Sequence, residues 1–152
     1  ACESQSKAFA SAVEEAHNKA KVAGIAFRAY PLEAEEVAIC DANPLRILFV
    51  SCDGKVSPCT YLGLLGQTEI PRVFQGRHLS VPRAAFGDIR EQELEEIWEG
   101  PEYRAFRQRF VARRDAAVAR GFAVIAGFTP ASRRTFPPAP DACHGCPKLF
   151  GA

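Results

Sequence analysis

Apolar residues recur at helical spacing near the start of the chain and again in its second half. Between residues 6 and 22 apolar side chains return every three or four positions, with charged side chains on the opposite face, which predicts an amphipathic helix. The pattern returns in "EQELEEIW" (91 to 98) and over residues 101 to 120, where Gly121 is placed to end the helix. We therefore expect one helix near the start and two in the second half.

The middle of the chain carries a strand pattern. "RILFVS" (46 to 51) and "KVSPCTYL" (55 to 62) are short apolar runs on either side of Asp53-Gly54. Because glycine accepts positive φ, Asp-Gly favours the tight type I′ turn of a β-hairpin, and we predict a hairpin here. Residues 63 to 87 are punctuated by glycine and proline, so we expect a loop with at most one short strand.

The first helix and the segment after it form a unit of their own. "GIAFRAY" (24 to 30) is strand-like and ends at Pro31, so residues 1 to 32 are predicted to be an αβ unit that needs a larger sheet. Residues 33 to 152 are predicted to form a second domain of α+β class. The sequence contains no methionine, so we expect it to be a piece of a longer chain. The apolar face of the first unit predicts self-association through it.

Composition narrows the classes of function. With 152 residues, 47% of them hydrophobic, the chain can build a core without help from cysteines. Its net charge of +1 gives no reason to expect nucleic acid or an anionic membrane as partner. No apolar run approaches the roughly 18 residues of a membrane span, and the first residues do not resemble a signal peptide. We therefore predict a soluble, cytoplasmic protein.

Cysteine spacing supplies the candidate chemistry. The six cysteines are Cys2, Cys40, Cys52, Cys59, Cys143 and Cys146. In a cytoplasmic chain such a count indicates metal or redox chemistry rather than disulfides. Covalent haem attachment needs His after the second Cys of a C-x2-C pair, where this chain has Pro147, and a thioredoxin-like pair would lie between an early strand and a helix. Metal ligation remains, because a C-x2-C turn brings two thiolates to one ion or one cluster face.

Four of the cysteines are predicted to meet. Cys40 precedes the hairpin, Cys59 lies in its second predicted strand, and an extended proline-rich loop over residues 129 to 140 delivers Cys143 and Cys146. Four thiolates from three segments can enclose one tetrahedral zinc ion or one cubane cluster. Taken singly, each cysteine could equally be a small buried apolar side chain.

Several other polar residues receive structural interpretations. Cys52 is expected to pack locally beside the turn, and His144 to be a turn residue that faces solvent. The arginines of the long helix are expected to form a solvated face, offset by the acidic residues of the preceding helix. They are Arg104, Arg107, Arg109, Arg113, Arg114 and Arg120.

The order of several segments resembles a known family. "DGKVSPC", "FGDIREQELEEIW", "PEYRAFRQRF" and "CHGCPKLFG" occur in that order, and with Cys40 they resemble the auxiliary-cluster domain that follows the catalytic barrel in radical S-adenosylmethionine enzymes. This is the SPASM family, and the chain is more similar still to its shortened twitch form. The resemblance covers residues 40 to about 150, and residues 1 to 31 are similar to the last helix and strand of the preceding partial α/β barrel.

The resemblance implies one four-iron, four-sulfur (4Fe–4S) cluster bound by Cys40, Cys59, Cys143 and Cys146. Cys52 falls where relatives carry an aromatic residue, so it is left out of the ligand set. A full SPASM domain has more cysteines and a second cluster, and too few are present here for both. The C-x3-C-x2-C motif that binds S-adenosylmethionine is also absent, so we do not expect this chain to be catalytic alone.

The implied function is electron transfer and substrate positioning within a parent radical S-adenosylmethionine oxidoreductase or maturase. Its partners would be the catalytic barrel of the parent chain and a peptide or protein substrate. The alternative is a structural zinc module, in which the same thiolates bind Zn²⁺ and no redox chemistry occurs. The residues alone do not separate the two, because both accept four cysteines.

Overall fold

The computed structural model describes residues 3 to 29, 32, 34 to 66, 68 to 126 and 136 to 151. Within them, helices are combined with two small antiparallel sheets and no barrel is formed, which confirms the α+β class. None of the described helices is long and apolar enough to cross a membrane. In chain order the helices and strands are α1 (Glu3–Val22), β1 (Phe49–Val50), β2 (Lys55–Ser57), β3 (Glu69–Phe74), β4 (Arg77–Pro82), β5 (Gly87–Asp88), α2 (Leu94–Glu99) and α3 (Pro101–Ile125), followed by two 3₁₀ turns at Asp141–Cys143 and Pro147–Phe150.

Helix α1 forms as its pattern predicts, and its apolar side chains are largely exposed, with Phe9 at 62% and Val22 at 91%. Residues 25 to 29 pair with no strand in the described chain. The last predicted strand residue, Tyr30, and the following Pro31 lie outside the described residues. The division at residue 32 therefore stays a prediction.

The predicted hairpin is confirmed, with Phe49 opposite Ser57 and Val50 opposite Val56. Its turn differs from the prediction, because Gly54 is the one turn residue with positive φ, at 78°. A type I′ turn needs positive φ at both central residues, so the connection is instead a three-residue loop that ends on a left-handed glycine. The sheet gains an unpredicted third strand, β5, in which Asp88 lies opposite Lys55.

Residues 69 to 82 form a second hairpin, so the expectation of a loop over residues 63 to 87 was wrong. Strands β3 and β4 pair along their full length, and Ile70 lies opposite Val81 with both side chains buried. The turn residues Gln75 and Gly76 have φ of 50° and 74°, which is the type I′ pattern.

The helices of the second half form largely as predicted. Helix α2 is short, and Ile97 is buried while Leu94 is 44% exposed instead of facing inward. Helix α3 continues to Ile125, so Gly121 lies inside the helix and does not end it.

The core has two parts that α3 joins. Phe110 packs with Leu62 and Leu149 in the larger part, and Tyr103 packs with Val56 and Ile97 in the smaller. Phe106 contacts both parts. The long helix therefore holds the three-stranded sheet and the C-terminal segment against one another.

Candidate metal centre

Cys40, Cys59, Cys143 and Cys146 all line one small cavity. Cys143 and Cys146 are buried, and Cys40 and Cys59 are partly buried. The apolar part of the wall comprises Leu62, Phe110 and Leu149, among others. The fold thus brings together the four cysteines that the sequence predicts to meet, from three separate segments.

Short turns present Cys40 and Cys59 to the cavity. The N–H of Asn43 donates to the carbonyl of Cys40 at 2.9 Å, and Asn43 has a φ of 41°, a conformation that asparagine tolerates better than most residues. The N–H of Leu62 donates to the carbonyl of Cys59 at 3.2 Å. The sequence pattern predicted Cys59 to lie in the second strand of the hairpin, but β2 ends at Ser57. Cys59 lies instead in the turn after the strand.

The C-x2-C pair spans the junction of the two 3₁₀ turns, because Cys143 ends the first and Cys146 directly precedes the second. The N–H of Cys146 donates to the carbonyl of Cys143 at 3.1 Å, which directs both side chains to the same cavity. Gly145 has a φ of 61°, and a Cβ built on it would overlap Cδ1 of Leu79 in β4. Glycine is therefore required there both by the backbone conformation and by space.

The side chains of two residues set aside in the sequence, His144 and Cys52, do not line the cavity. The side chain of His144 is exposed, as expected for a turn residue. Cys52 is also exposed, at the tip of the hairpin, so the expectation that it packs locally was wrong. Neither is among the residues that line the cavity.

Arg72 lines the cavity and was missed by sequence reasoning. Its Nη1 donates to the carbonyls of Ala142 at 2.8 Å and His144 at 3.2 Å, and its Nη2 donates to that of Tyr61 at 3.4 Å. The side chain thus connects β3 to both carbonyls that flank Cys143. No local sequence pattern distinguishes Arg72 from other arginines, and the segment that contains it was predicted to be a loop.

The arginines of α3 were expected to form a solvated face, but two of them, Arg107 and Arg113, are buried. Arg107 packs its guanidinium 4.0 Å above the ring of Trp98. Arg113 has no exposed side-chain surface and donates to the carbonyls of Ala38 and Pro137. Arg113 therefore links α3 to the segment before Cys40 and to the segment before Cys143.

Burial raises the pKa of three of the cavity thiols. It raises the pKa of Cys59 to about 11, where backbone N–H groups oppose the rise and the nearby Cys146 and Cys40 add to it. Burial is also the main cause that raises the pKa of Cys40 and of Cys143. Without a bound cation these thiols are protonated near neutral pH, so binding of a metal or cluster must release protons.

The four cysteines share one cavity without converging on a single point. Among the described residues, no three His, Cys, Asp or Glu side chains converge closely enough to hold a single metal ion. Around tetrahedral zinc, with Zn–S bonds of about 2.3 Å, thiolate sulfurs lie only about 3.8 Å apart. A cubane keeps its thiolates farther apart, because irons and sulfides stand between them. In the described part of the chain, the four cysteines therefore surround one cavity without forming a compact site for a single ion.

Comparison with known proteins agrees with this geometry. The family model of SPASM, an iron–sulfur cluster-binding domain, matches residues 40–147, a range that begins at Cys40 and includes Cys146. Searches of curated proteins and of solved structures give no match. Since the matched range covers well over half of its 152 residues, the chain belongs to the SPASM family of iron–sulfur cluster-binding domains.

Proposed function

We propose that this chain binds one 4Fe–4S cluster through Cys40, Cys59, Cys143 and Cys146, and that the cluster transfers electrons. The observation that carries the proposal is that these four cysteines, from three segments, line one cavity. Membership of the SPASM family supports the type of cofactor, and the number of thiols supports a single cubane, since each of its irons takes one cysteine.

The ligand count favours electron transfer over binding of substrate to iron. With one thiolate for each iron, no iron keeps an open position for a substrate atom. The two most buried thiols, Cys143 and Cys146, are 8% and 7% exposed, which keeps water from that side of the site. A saturated and shielded cluster gains or loses an electron without exchanging a ligand.

We further propose that the chain acts within a radical S-adenosylmethionine enzyme as its auxiliary-cluster domain. In that setting the cluster would accept an electron from a substrate radical or pass one onward. The partners would be the catalytic barrel and a peptide or protein substrate, which the domain would help to position. The support is the resemblance of residues 40 to about 150 to auxiliary-cluster domains, including the terminal "CHGCPKLFG".

The test is anaerobic reconstitution with iron and sulfide, followed by metal and sulfide analysis and a visible spectrum. We expect about four irons and four sulfides per chain, with a broad absorbance that bleaches with dithionite and returns on mild oxidation. Stoichiometric zinc without sulfide would instead establish a structural module. A cluster that forms but cannot be reversibly reduced would overturn the electron-transfer role and leave cluster binding intact.

A further inference from the structure

Arg72 is a buried cation beside the cysteines. Arg72 is only 9% exposed, and it lines the same cavity as the four thiols. Its hydrogen bonds go to the carbonyls of Tyr61, Ala142 and His144. Within the described part of the chain, no carboxylate lies within ion-pair distance of its guanidinium.

The comparison with Arg113 shows what is missing around Arg72. Arg113 is fully buried, also donates to carbonyls, and has Glu36 as an anionic partner at 2.8 Å. A buried charge is costly unless an opposite charge compensates it, and carbonyl dipoles do so only in part. Arginine keeps its proton throughout the working pH range, so Arg72 cannot escape this cost by becoming neutral.

The occupant proposed for the cavity would supply the missing charge. Four thiolates carry more negative charge than the cationic iron–sulfide core offsets, so the bound cluster is anionic. One-electron reduction makes it more negative still. A fixed positive charge nearby therefore stabilises the reduced state more than the oxidised state.

We propose that Arg72 is the internal countercharge of the cluster and that it raises the cluster's reduction potential. Arg72 is a positioning residue as well, because it holds the two carbonyls that flank Cys143. In the step concerned, one electron passes from an external one-electron donor to the cluster. No bond to Arg72 forms or breaks, and its guanidinium keeps its proton. The inference rests on the proposed function, since it requires that the cluster be bound.

The experiment compares Arg72→Gln and Arg72→Lys with the unaltered chain, all reconstituted anaerobically and titrated with dithionite at set potentials. Arg104→Gln is the control for net charge, because Arg104 is an exposed residue on α3 paired with Glu99. Lys148→Gln is a second control. Lys148 also lines the cavity but is partly exposed, so water screens its charge.

We expect Arg72→Gln to lower the ratio of reduced to oxidised cluster at a fixed potential by about tenfold, which is about 59 mV for a one-electron couple. The ratio in Arg72→Lys should stay close to that of the unaltered chain. Lys148→Gln should lower the ratio less than Arg72→Gln does, and Arg104→Gln should leave it unchanged. An unchanged ratio in Arg72→Gln at equal iron content would overturn the inference alone.

Loss of the cluster is also informative. If Arg72→Gln fails to hold iron while Arg72→Lys holds it, the charge is required, as proposed. If both fail, the hydrogen-bond geometry matters and the countercharge role is overturned. Absence of iron and sulfide from the unaltered chain would be a failure of the proposed function itself, and it is measured first.

Discussion

Arg113 of α3 donates a hydrogen bond to the carboxylate of Glu36, 77 positions earlier in the chain, at 2.8 Å. The same guanidinium donates to the carbonyls of Ala38 and Pro137. These contacts hold the segment that leads to Cys40 and the segment that leads to Cys143 against one helix. A single buried side chain thus sets the relative position of two of the three segments that build the site.

Replacing Arg113 with methionine should destabilise the fold strongly. The substitution keeps an apolar stem of similar length but leaves buried carbonyls without a donor and Glu36 without its partner. We expect a loss of about 3 kcal/mol in the free energy of unfolding, measured by urea denaturation. Arg114→Met is the matched control, because Arg114 is exposed and, within the described residues, forms its ion pair with its neighbour Asp115. It should cost less than about 0.5 kcal/mol, and equal costs for the two variants would contradict this account of Arg113.

Gly145→Ala should disrupt the turn between the paired cysteines. Gly145 has positive φ, and an added Cβ would overlap Leu79. Backbone strain and overpacking together should cost about 2 to 4 kcal/mol and reduce the iron retained after reconstitution. Urea denaturation and iron analysis measure the two effects.

Gly76 provides a control for the backbone contribution to that cost. It also has positive φ, at 74°, but an added Cβ would meet nothing within 4 Å. Gly76→Ala should therefore cost only about 1 to 2 kcal/mol and leave the iron content unchanged. Adding Leu79→Ala to Gly145→Ala should restore part of the iron content, and a double variant no better than Gly145→Ala would contradict the steric explanation.

The thiol of Cys59 in the metal-free chain should titrate late. Burial raises the pKa of Cys59 to about 11, from about 8.5 for an unperturbed thiol. A raised pKa means that the folded state favours the protonated thiol, so the stability it contributes is present below about pH 8.5 and is lost as the pH rises through about 11. Alkylation by iodoacetamide, followed peptide by peptide, should give a midpoint for Cys59 near pH 11. A Cys59 midpoint near pH 8.5 would contradict the prediction.

The residues at the turns and in the strands made the first hairpin predictable from the sequence but not the second. Asp53-Gly54 lies between two apolar runs, and the first hairpin follows from it even though the turn type differs. The second hairpin has Gln75-Gly76 at its turn and prolines at positions 71 and 82. Proline normally indicates a loop, but a two-stranded ribbon can place it where no N–H is needed. The continuation of α3 past Gly121 was hidden for a similar reason, since glycine near the end of a helical pattern is usually a cap.

Some residues of the candidate site could likewise be predicted from the sequence, and others could not. The four cysteines could be predicted because their residue type and spacing carry the chemistry. Arg72 and Arg113 could not, because a buried arginine is recognised by the carbonyls around it. The carbonyls of Ala142 and His144 around Arg72, and of Ala38 around Arg113, lie 70 or more positions away along the sequence. They meet these arginines only in the folded chain.

The central claim is tested most directly by the iron content of single Cys→Ser variants after anaerobic reconstitution. Variants at Cys40, Cys59, Cys143 and Cys146 should each lose much of their iron and sulfide relative to the unaltered chain, because each removes a thiolate from the cluster. Cys52→Ser, at the exposed tip of the first hairpin, is the matched control and should keep the full amount. Full iron and sulfide in any of the first four variants, or a loss confined to Cys52→Ser, would contradict the proposed ligand set.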